Sequence, residues 1–153
     1  KSEISNFKPN DSDNKKCWLM KPSLFMNQSG ISISSFCLFY KIKPEHVLIV
    51  HDELDLLPGN LKLKHGGGNA GHNGLKNIEE KLGTNCFWRL RLGIGHPKTI
   101  ETPIKNVSDF VLSMPSDEDR VRIDKGIDFC ITHINDLLEC NTKKIHNSVA
   151  KED

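Results

Sequence analysis

The sequence lacks any hydrophobic run long enough to cross a membrane, and it lacks the apolar core of a signal peptide. None of its apolar runs approaches the ~20 residues that a transmembrane helix needs. Residues 1–16 are polar, so nothing in them indicates secretion. These absences predict a cytoplasmic protein with no membrane partner.

Paired cysteine motifs are also missing. The five cysteines are odd in number and form no C-x-x-C pair, which argues against a disulfide framework or a structural zinc site. We therefore expect reduced, mostly buried thiols. The sequence contains no internal repeat, low-complexity block or domain boundary, so its 153 residues and 37% hydrophobic content predict one globular domain over residues 1–153.

A large excess of either charge is absent, but the charge that is present is unevenly distributed. The whole chain carries +1, whereas residues 60–98 hold seven Lys or Arg and only two acidic residues, a net charge of +5. The remainder is therefore acidic. A basic segment of this kind suits a phosphate backbone, although ordinary surface lysines would give the same count.

The order of strands and helices predicts an α/β fold, with a twisted mixed β-sheet flanked by helices. Residues 47–50 form a short β-branched run typical of a strand buried on both faces, and His51-Asp52-Glu53 follow at its carboxyl end, where α/β sheets bind ligands. Periodicity predicts further strands at residues 17–20, 60–64 and 88–94. It predicts a helix that follows Asn27 and ends before Pro44, with an apolar core stripe of Ile33, Phe36, Cys37 and Tyr40. Further helices are predicted at about 75–82, closed by Gly83, at 109–112, and from the capping residue Ser116 to 138. The ends, residues 1–14 and from about 143, read as exposed or polar segments.

Three side chains are candidates for chemistry, and each has an ordinary alternative. Asp52 could orient a histidine and stabilise its charged form, or it could solvate a turn. Asn27 and Asn73 could donate to a developing oxyanion and accept from a peptide N–H, or they could cap the helices that follow them.

The histidines and glycines of residues 65–74 give weaker signals. His72 lies between a glycine-rich loop and a predicted helix, whereas His51 and His65 have less support, and a metal site from His65, His72 and Asp52 lacks a recognised ligand spacing. The loop is not a phosphate-binding P-loop, because His72 occupies the position of its lysine. We expect a mobile loop at the rim of a site.

Basic residues lie on two predicted strands. Lys62 and Lys64 alternate with leucines, and Arg91 lies on the strand of residues 88–94. Two cations on neighbouring strands suit a terminal phosphate, while solvated strand residues are the alternative.

Four motifs resemble the signature of the bacterial-type peptidyl-tRNA hydrolases, in the order and spacing of that family. They are MNQSG at 26–30, HDELDLLPG at 51–59, KLKHGGGNAGHNGLK at 62–76 and RLRLGIGHP at 89–97. The resemblance implies hydrolysis of the ester between peptide and tRNA, which recycles tRNA in translation. It also implies no metal or cofactor, and we expect a monomer.

The resemblance further implies a role for each candidate residue. Asp52, Asn27 and Asn73 would be catalytic, Asp52 by holding the family's catalytic imidazole. Met26, Asn27, His72 and Asn73 would contact the peptide substrate. Lys64 and Arg91 would clamp the 5′ phosphate of the tRNA, with Lys62 and Lys76 adding attraction to its backbone.

One family motif has no counterpart in this sequence. The family carries its general-base histidine in a leading Thr-Arg-His-Asn segment, and nothing in residues 1–16 resembles that segment. We therefore expect a chain that lacks the family's first strand and helix, with doubtful activity. The alternative function is a tRNA-end-binding protein without a catalyst.

Overall fold

The computed structural model describes residues 2–9, 16–97 and 106–145. In these ranges the strands are β1 Ser2–Phe7, β2 Cys17–Pro22, β3 Leu48–Glu53, β4 Leu61–His65 and β5 Trp88–Gly93. The helices are α1 Ser29–Tyr40, α2 Asn73–Leu82, α3 Val107–Leu112, α4 Asp117–Thr132 and α5 Ile134–Leu138. The chain divides into a first unit, residues 1–47 and 65–88, and a second unit, residues 48–64 and 89–153. The single domain expected from the sequence stays a prediction.

The first unit begins with an antiparallel pair of strands. Strand β1 pairs with β2 along its whole length, from Ser2 opposite Pro22 to Phe7 opposite Cys17. The strand expected at residues 17–20 is confirmed and runs two residues further. The amino-terminal segment expected to be exposed contains β1, whose residues are mostly exposed, while residues 1 and 10–15 lie outside the described residues.

Two helices form the rest of the first unit, at the positions that the sequence predicts. Helix α1 ends at Lys41, which has a positive φ of 54°, three residues before Pro44. The predicted core stripe is confirmed for Ile33 and Cys37, which are buried, whereas Phe36 is half-buried and Tyr40 is 44% exposed. Helix α2 ends at Gly83 with φ 72°, a left-handed conformation that glycine adopts without a steric cost.

The second unit contains a three-stranded sheet in the order β3-β5-β4. The described strands thus lie in two sheets, and the expectation of one sheet is wrong. The alternation predicted for β4 is confirmed, because Leu61 and Leu63 are buried whereas Lys62 is half-buried and Lys64 is exposed.

Two expectations about β3 are wrong. The polar residues from His51 to Glu53 belong to the strand itself, because backbone pairing continues to Glu53, whose carbonyl accepts a hydrogen bond from Ile94 N at 3.0 Å. Val50 is 62% exposed, so this strand is not buried on both faces. Strand β3 is the last in the order of its sheet, with β5 as its one neighbour among the described strands.

The carboxyl-terminal part of the second unit departs from the sequence prediction in two places. Ser116 caps α4 through Asp119 N, as expected. The single helix predicted to residue 138 is interrupted at His133, whose ring stacks on Phe129 at 3.9 Å. Ile145 is fully buried, so the segment expected to be a polar tail contributes to the core.

Candidate active site

Helices α1 and α2 contact each other where only glycine fits. A Cβ on Gly30 would lie 2.4 Å from the backbone oxygen of Asn77, and Asn77 Oδ1 accepts a hydrogen bond from Gly30 N at 2.9 Å. Glycine allows this close approach because it has no side chain. The contact fixes the first turn of α1 against the middle of α2.

A second close contact joins the segment before α1 to the start of α2. A Cβ on Gly74 would lie 2.7 Å from Met26 Sδ and 3.0 Å from Cε1 of His72. The thioether and the imidazole therefore both pack against the first turn of α2. We call Met26, Asn27, His72, Asn73 and Gly74 the helix-start corner, and it brings together four of the predicted site residues.

Neither asparagine of the helix-start corner acts as a helix cap. Asn27 lies inside the 3₁₀ turn Met26–Gln28, and Gln28 is the residue that precedes α1. Asn73 is the first residue of α2, after its cap. Both side chains are exposed, and within the described parts of the chain neither carboxamide makes a hydrogen bond. The capping alternative is therefore wrong for both, and their amide groups can bind a ligand.

His72 caps helix α2 in their place. Its Nδ1 accepts hydrogen bonds from Gly74 N at 3.1 Å and from Leu75 N at 3.3 Å. An accepting Nδ1 has no proton, so the neutral ring carries its proton on Nε2. His72 thus has a structural role that the sequence analysis missed, and its contact with substrate stays a prediction.

The glycine-rich loop before α2 uses the freedom of its glycines. Gly66, Gly67 and Gly71 have φ of 63°, 92° and 81°, values that residues with a side chain rarely adopt. Gly66 N also donates to Phe87 O at 2.9 Å, which ties the start of the loop to the rest of the first unit. The predicted mobility of this loop stays a prediction.

Asp52 lies on β3 in the second unit, where it is half-buried. The neighbouring His51 is buried, and its Nδ1 donates to the backbone oxygen of Asp52 at 2.6 Å. This hydrogen bond places the proton of the neutral His51 ring on Nδ1, so it does not by itself exclude His51 as a base. The role of Asp52 stays a prediction.

The basic residues of the second unit differ in how they are held. Lys62 and Lys64 lie on β4, and Arg91 lies on the neighbouring strand β5, as the sequence predicts. Arg91 Nε donates to Glu53 Oε2 at 2.6 Å, and the two side chains are 16% and 9% exposed. Lys64 is exposed, so its cation is the more accessible of the pair.

Electrostatics favours the charged form of Glu53. Burial by itself would raise its pKa, but hydrogen bonds from Arg91 and from the backbone N–H of Asp55, together with the Arg91 charge, lower the pKa below the ordinary value of 4.5. The ion pair therefore remains intact at neutral pH. Glu53 was missed as a site residue, although its place beside Asp52 and its opposite charge to Arg91 were visible in the sequence.

Lys76 lies on α2 in the first unit, where it is exposed. Two further first-unit residues escaped the sequence analysis, Asn69 and Glu79, which hydrogen-bond each other at 2.8 Å. Their separation of ten positions corresponds to no helical or strand spacing, so no periodic signal marks the pair.

Two properties of the described residues bear on the class of protein. No helix among residues 2–9, 16–97 and 106–145 has the length and hydrophobicity of a membrane span. Over the same ranges, no three His, Cys, Asp or Glu side chains cluster as metal ligands.

Comparison with known proteins gives a consistent result. The family model described as peptidyl-tRNA hydrolase matches residues 1–153. The match includes residues 1–16, which the sequence motifs had not connected with the family.

Curated relatives named peptidyl-tRNA hydrolase are similar over most of the chain. The relative from Bordetella avium (strain 197N) is 49% identical over 134 residues, which are 85% of this chain and 64% of that protein. The relative from Neisseria meningitidis serogroup B (strain ATCC BAA-335 / MC58) is 51% identical, covering 79% of this chain and 61% of that protein. The chain thus spans less than two thirds of the length of these relatives.

A solved structure shows the same fold. The crystal structure of peptidyl-tRNA hydrolase from Acinetobacter baumannii at 1.00 Å resolution superposes with a TM-score of 0.82 and 34% identity, covering 98% of this chain and 72% of that one. The mixed α/β arrangement of helices and strands is therefore that of a known fold.

Proposed function

The chain belongs to the peptidyl-tRNA hydrolase family, and we propose on that premise that it hydrolyses the ester between a peptide and the 3′ ribose of tRNA, recycling tRNA in translation. The observation that carries the proposal is the helix-start corner. Asn27 and Asn73 flank the contact between Met26 and Gly74, and their carboxamides take no part in helix capping. Exposed amides that both donate and accept suit a substrate rich in carbonyl and N–H groups.

In the proposed mechanism, water attacks the ester carbonyl while the general-base imidazole that the family resemblance implies takes its proton and returns it to the ribose oxygen that leaves. The amides stabilise the oxyanion that forms at the carbonyl. The N–H₂ groups of Asn27 and Asn73 donate to the substrate carbonyl oxygen as it becomes negative, or to peptide carbonyls beside it. Met26 lines the peptide groove with an adaptable apolar side chain. His72 contacts the peptide, as the family resemblance implies, while its Nδ1 accepts the hydrogen bonds that cap α2. No metal or cofactor takes part.

Asp52 serves the proton transfer in this proposal. A carboxylate that accepts from one nitrogen of an imidazole keeps the other nitrogen ready to take a proton from water, and it stabilises the imidazolium that results. The family's Thr-Arg-His-Asn motif does not occur in residues 1–153. Turnover by the 153-residue chain itself is therefore the first property to measure.

The basic residues would recognise the nucleic acid. Lys64 and Arg91 bind the 5′ phosphate, with Arg91 held by Glu53 through Nε so that its terminal amino groups remain for the anion. Lys62 and Lys76 add attraction to the backbone that does not depend on sequence. We expect a monomer in the cytoplasm, where translation supplies peptidyl-tRNA.

The test is hydrolysis of N-acetyl-aminoacyl-tRNA by the purified chain, with release of the N-acetyl amino acid as readout and heat-inactivated protein as control. We expect turnover that falls about 10²-fold or more in Asn27→Ala and Asn73→Ala, in line with the loss of one oxyanion donor. Tight tRNA binding without turnover would instead support the tRNA-end-binding alternative. The absence of both tRNA binding and turnover would contradict the proposed function.

Recognition of the 5′ phosphate is tested separately. KM of the wild-type chain should rise when the substrate is dephosphorylated. KM of the double variant Lys64→Ala, Arg91→Ala should rise to a similar extent with the normal substrate. Dephosphorylated substrate should raise the KM of the double variant little further. Additive effects would contradict a shared contact.

A further inference from the structure

Asn69 uses every polar group of its side chain and its carbonyl to hold one turn of the glycine-rich loop. Its Oδ1 accepts from Gly71 N at 3.2 Å, and its backbone oxygen accepts from His72 N at 2.8 Å. Its Nδ2 donates to Glu79 Oε2 at 2.8 Å. Asn69 therefore joins the turn that precedes α2 to a side chain two helical turns further along the same helix.

The turn held in this way is conformationally demanding. Its two central residues, Ala70 and Gly71, have φ of 48° and 81°, the sign pattern of a type I′ turn. Alanine is disfavoured at positive φ, and such a conformation persists when the surrounding structure fixes it. The hydrogen bonds that Asn69 accepts from Gly71 N and His72 N close this turn.

The arrangement is not explained by stability alone. Oε1 of Glu79 is buried, and among the described residues it has no hydrogen-bond partner. Burial of a polar oxygen without a partner opposes folding. An apolar side chain of similar size would avoid that penalty, so the carboxylate has a purpose that packing does not supply.

We propose that Glu79 and Asn69 are positioning residues of the hydrolase, an inference that rests on the proposed function. Glu79 holds Asn69, Asn69 holds the turn, and the turn leads directly into His72 and Asn73 at the helix-start corner. Neither Glu79 nor Asn69 is proposed to touch the substrate. Their effect is to keep the Asn73 carboxamide in one place before the substrate arrives, which lowers the ordering cost of binding.

The test compares variants of the full chain at Glu79, Asn69 and a control position. Glu79→Met removes the hydrogen bond and keeps an apolar side chain of similar length, whereas Glu79→Gln keeps an acceptor for Asn69. Glu80→Met is the matched control, because Glu80 is the next residue of α2 and pairs with Lys81 at the surface. The readouts are hydrogen exchange of peptides covering residues 66–75, the thermal midpoint, and kcat and KM with N-acetyl-aminoacyl-tRNA.

We expect Glu79→Met to speed exchange in residues 66–75 about tenfold and to raise KM about fivefold, with the thermal midpoint unchanged or higher. In Glu79→Gln, hydrogen exchange of residues 66–75 and KM should be close to their wild-type values. Asn69→Ala should change hydrogen exchange and KM as much as Glu79→Met does. The double variant Asn69→Ala, Glu79→Met should show changes no larger than those of Asn69→Ala alone.

Unchanged exchange in Glu79→Met, or equal changes in Glu80→Met, would overturn the inference. A wild-type KM despite faster exchange would overturn it as well, because the pair would then hold the loop without positioning Asn73 for substrate. If the wild-type chain shows no turnover, the proposed function fails, and exchange alone then decides whether the pair holds the turn.

Discussion

Arg91 on β5 and Glu53 on β3 form an ion pair of 2.6 Å between neighbouring strands, with both side chains largely removed from solvent. The carboxylate also accepts from Asp55 N at 3.1 Å, so each of its oxygens has a partner. The pair joins the end of the β3 strand to a residue proposed to bind phosphate. It therefore links the stability of the second unit to its proposed recognition of tRNA.

Loss of Glu53 should be costly, and its contribution should depend on pH. Because its pKa in the folded chain lies below the ordinary 4.5, its stabilisation is fully present above about pH 4.5 and is lost as the pH falls through the folded value. Glu53→Ala should cost about 3 kcal/mol at neutral pH, since it leaves the Arg91 charge buried without its partner. Denaturant unfolding between pH 3 and pH 7 measures both effects.

Glu45→Gln is the control for this titration, because Glu45 is an exposed acid outside the pair. Glu53→Gln should lose less stability than wild type as the pH falls through the acid range. If Glu53→Gln and the wild type lose the same unfolding free energy as the pH falls, another group causes the loss of stability in acid.

The cap on α2 should tolerate only side chains that accept hydrogen bonds. His72→Ala removes the acceptor for Gly74 N and Leu75 N, and it should cost about 1 kcal/mol of unfolding free energy. His72→Asn should recover most of that loss, because asparagine is a good N-cap. Guanidinium unfolding measures the difference.

The two His72 variants also separate capping from substrate binding. His72→Asn should still raise KM if Nε2–H contacts the peptide as proposed. Equal stability of His72→Ala and wild type would contradict the capping role.

The crossing of α1 and α2 should not admit a methyl group. In Gly30→Ala the new Cβ would meet the backbone oxygen of Asn77 at 2.4 Å, and a helix backbone cannot move aside as a flexible side chain can. We expect a loss of about 2–3 kcal/mol from overpacking. Gly68→Ala is the control, since a Cβ there meets nothing within 4 Å, and it should change stability by no more than about 0.5 kcal/mol. Thermal unfolding compares the two.

Binding of tRNA should become less dependent on salt when Lys64 is removed. If Lys64 contacts one phosphate, Lys64→Ala should reduce the slope of log K against log salt concentration by about 0.7–0.9. Lys125→Ala removes an exposed lysine of α4 and serves as the control. Filter binding from 50 to 200 mM salt gives the slopes, and an equal reduction in both variants would point to charge without a specific contact.

Much of the local structure could be predicted because the deciding interactions lie close together in sequence. The apolar stripe of α1, the alternation of β4, the Gly83 end of α2 and the Ser116 cap of α4 follow from periods and capping rules that act within a few residues. The predictions from sequence were wrong where a residue distant in sequence decides the local structure. The length of β3 depends on pairing near Ile94. Ile145 is buried although the residues just before it in sequence are polar and exposed.

The candidate site divides in the same way. The sequence alone determined which residue types are available, Asn27, Asn73, Asp52 and Lys64 among them, and the family that their spacing resembles. Only the tertiary structure decided that His72 caps α2 in place of Asn73, that Arg91 is paired with Glu53, and that Met26 packs on Gly74. Sequence spacing sets the local backbone, but hydrogen bonds and contacts between distant residues exist only once the chain has folded.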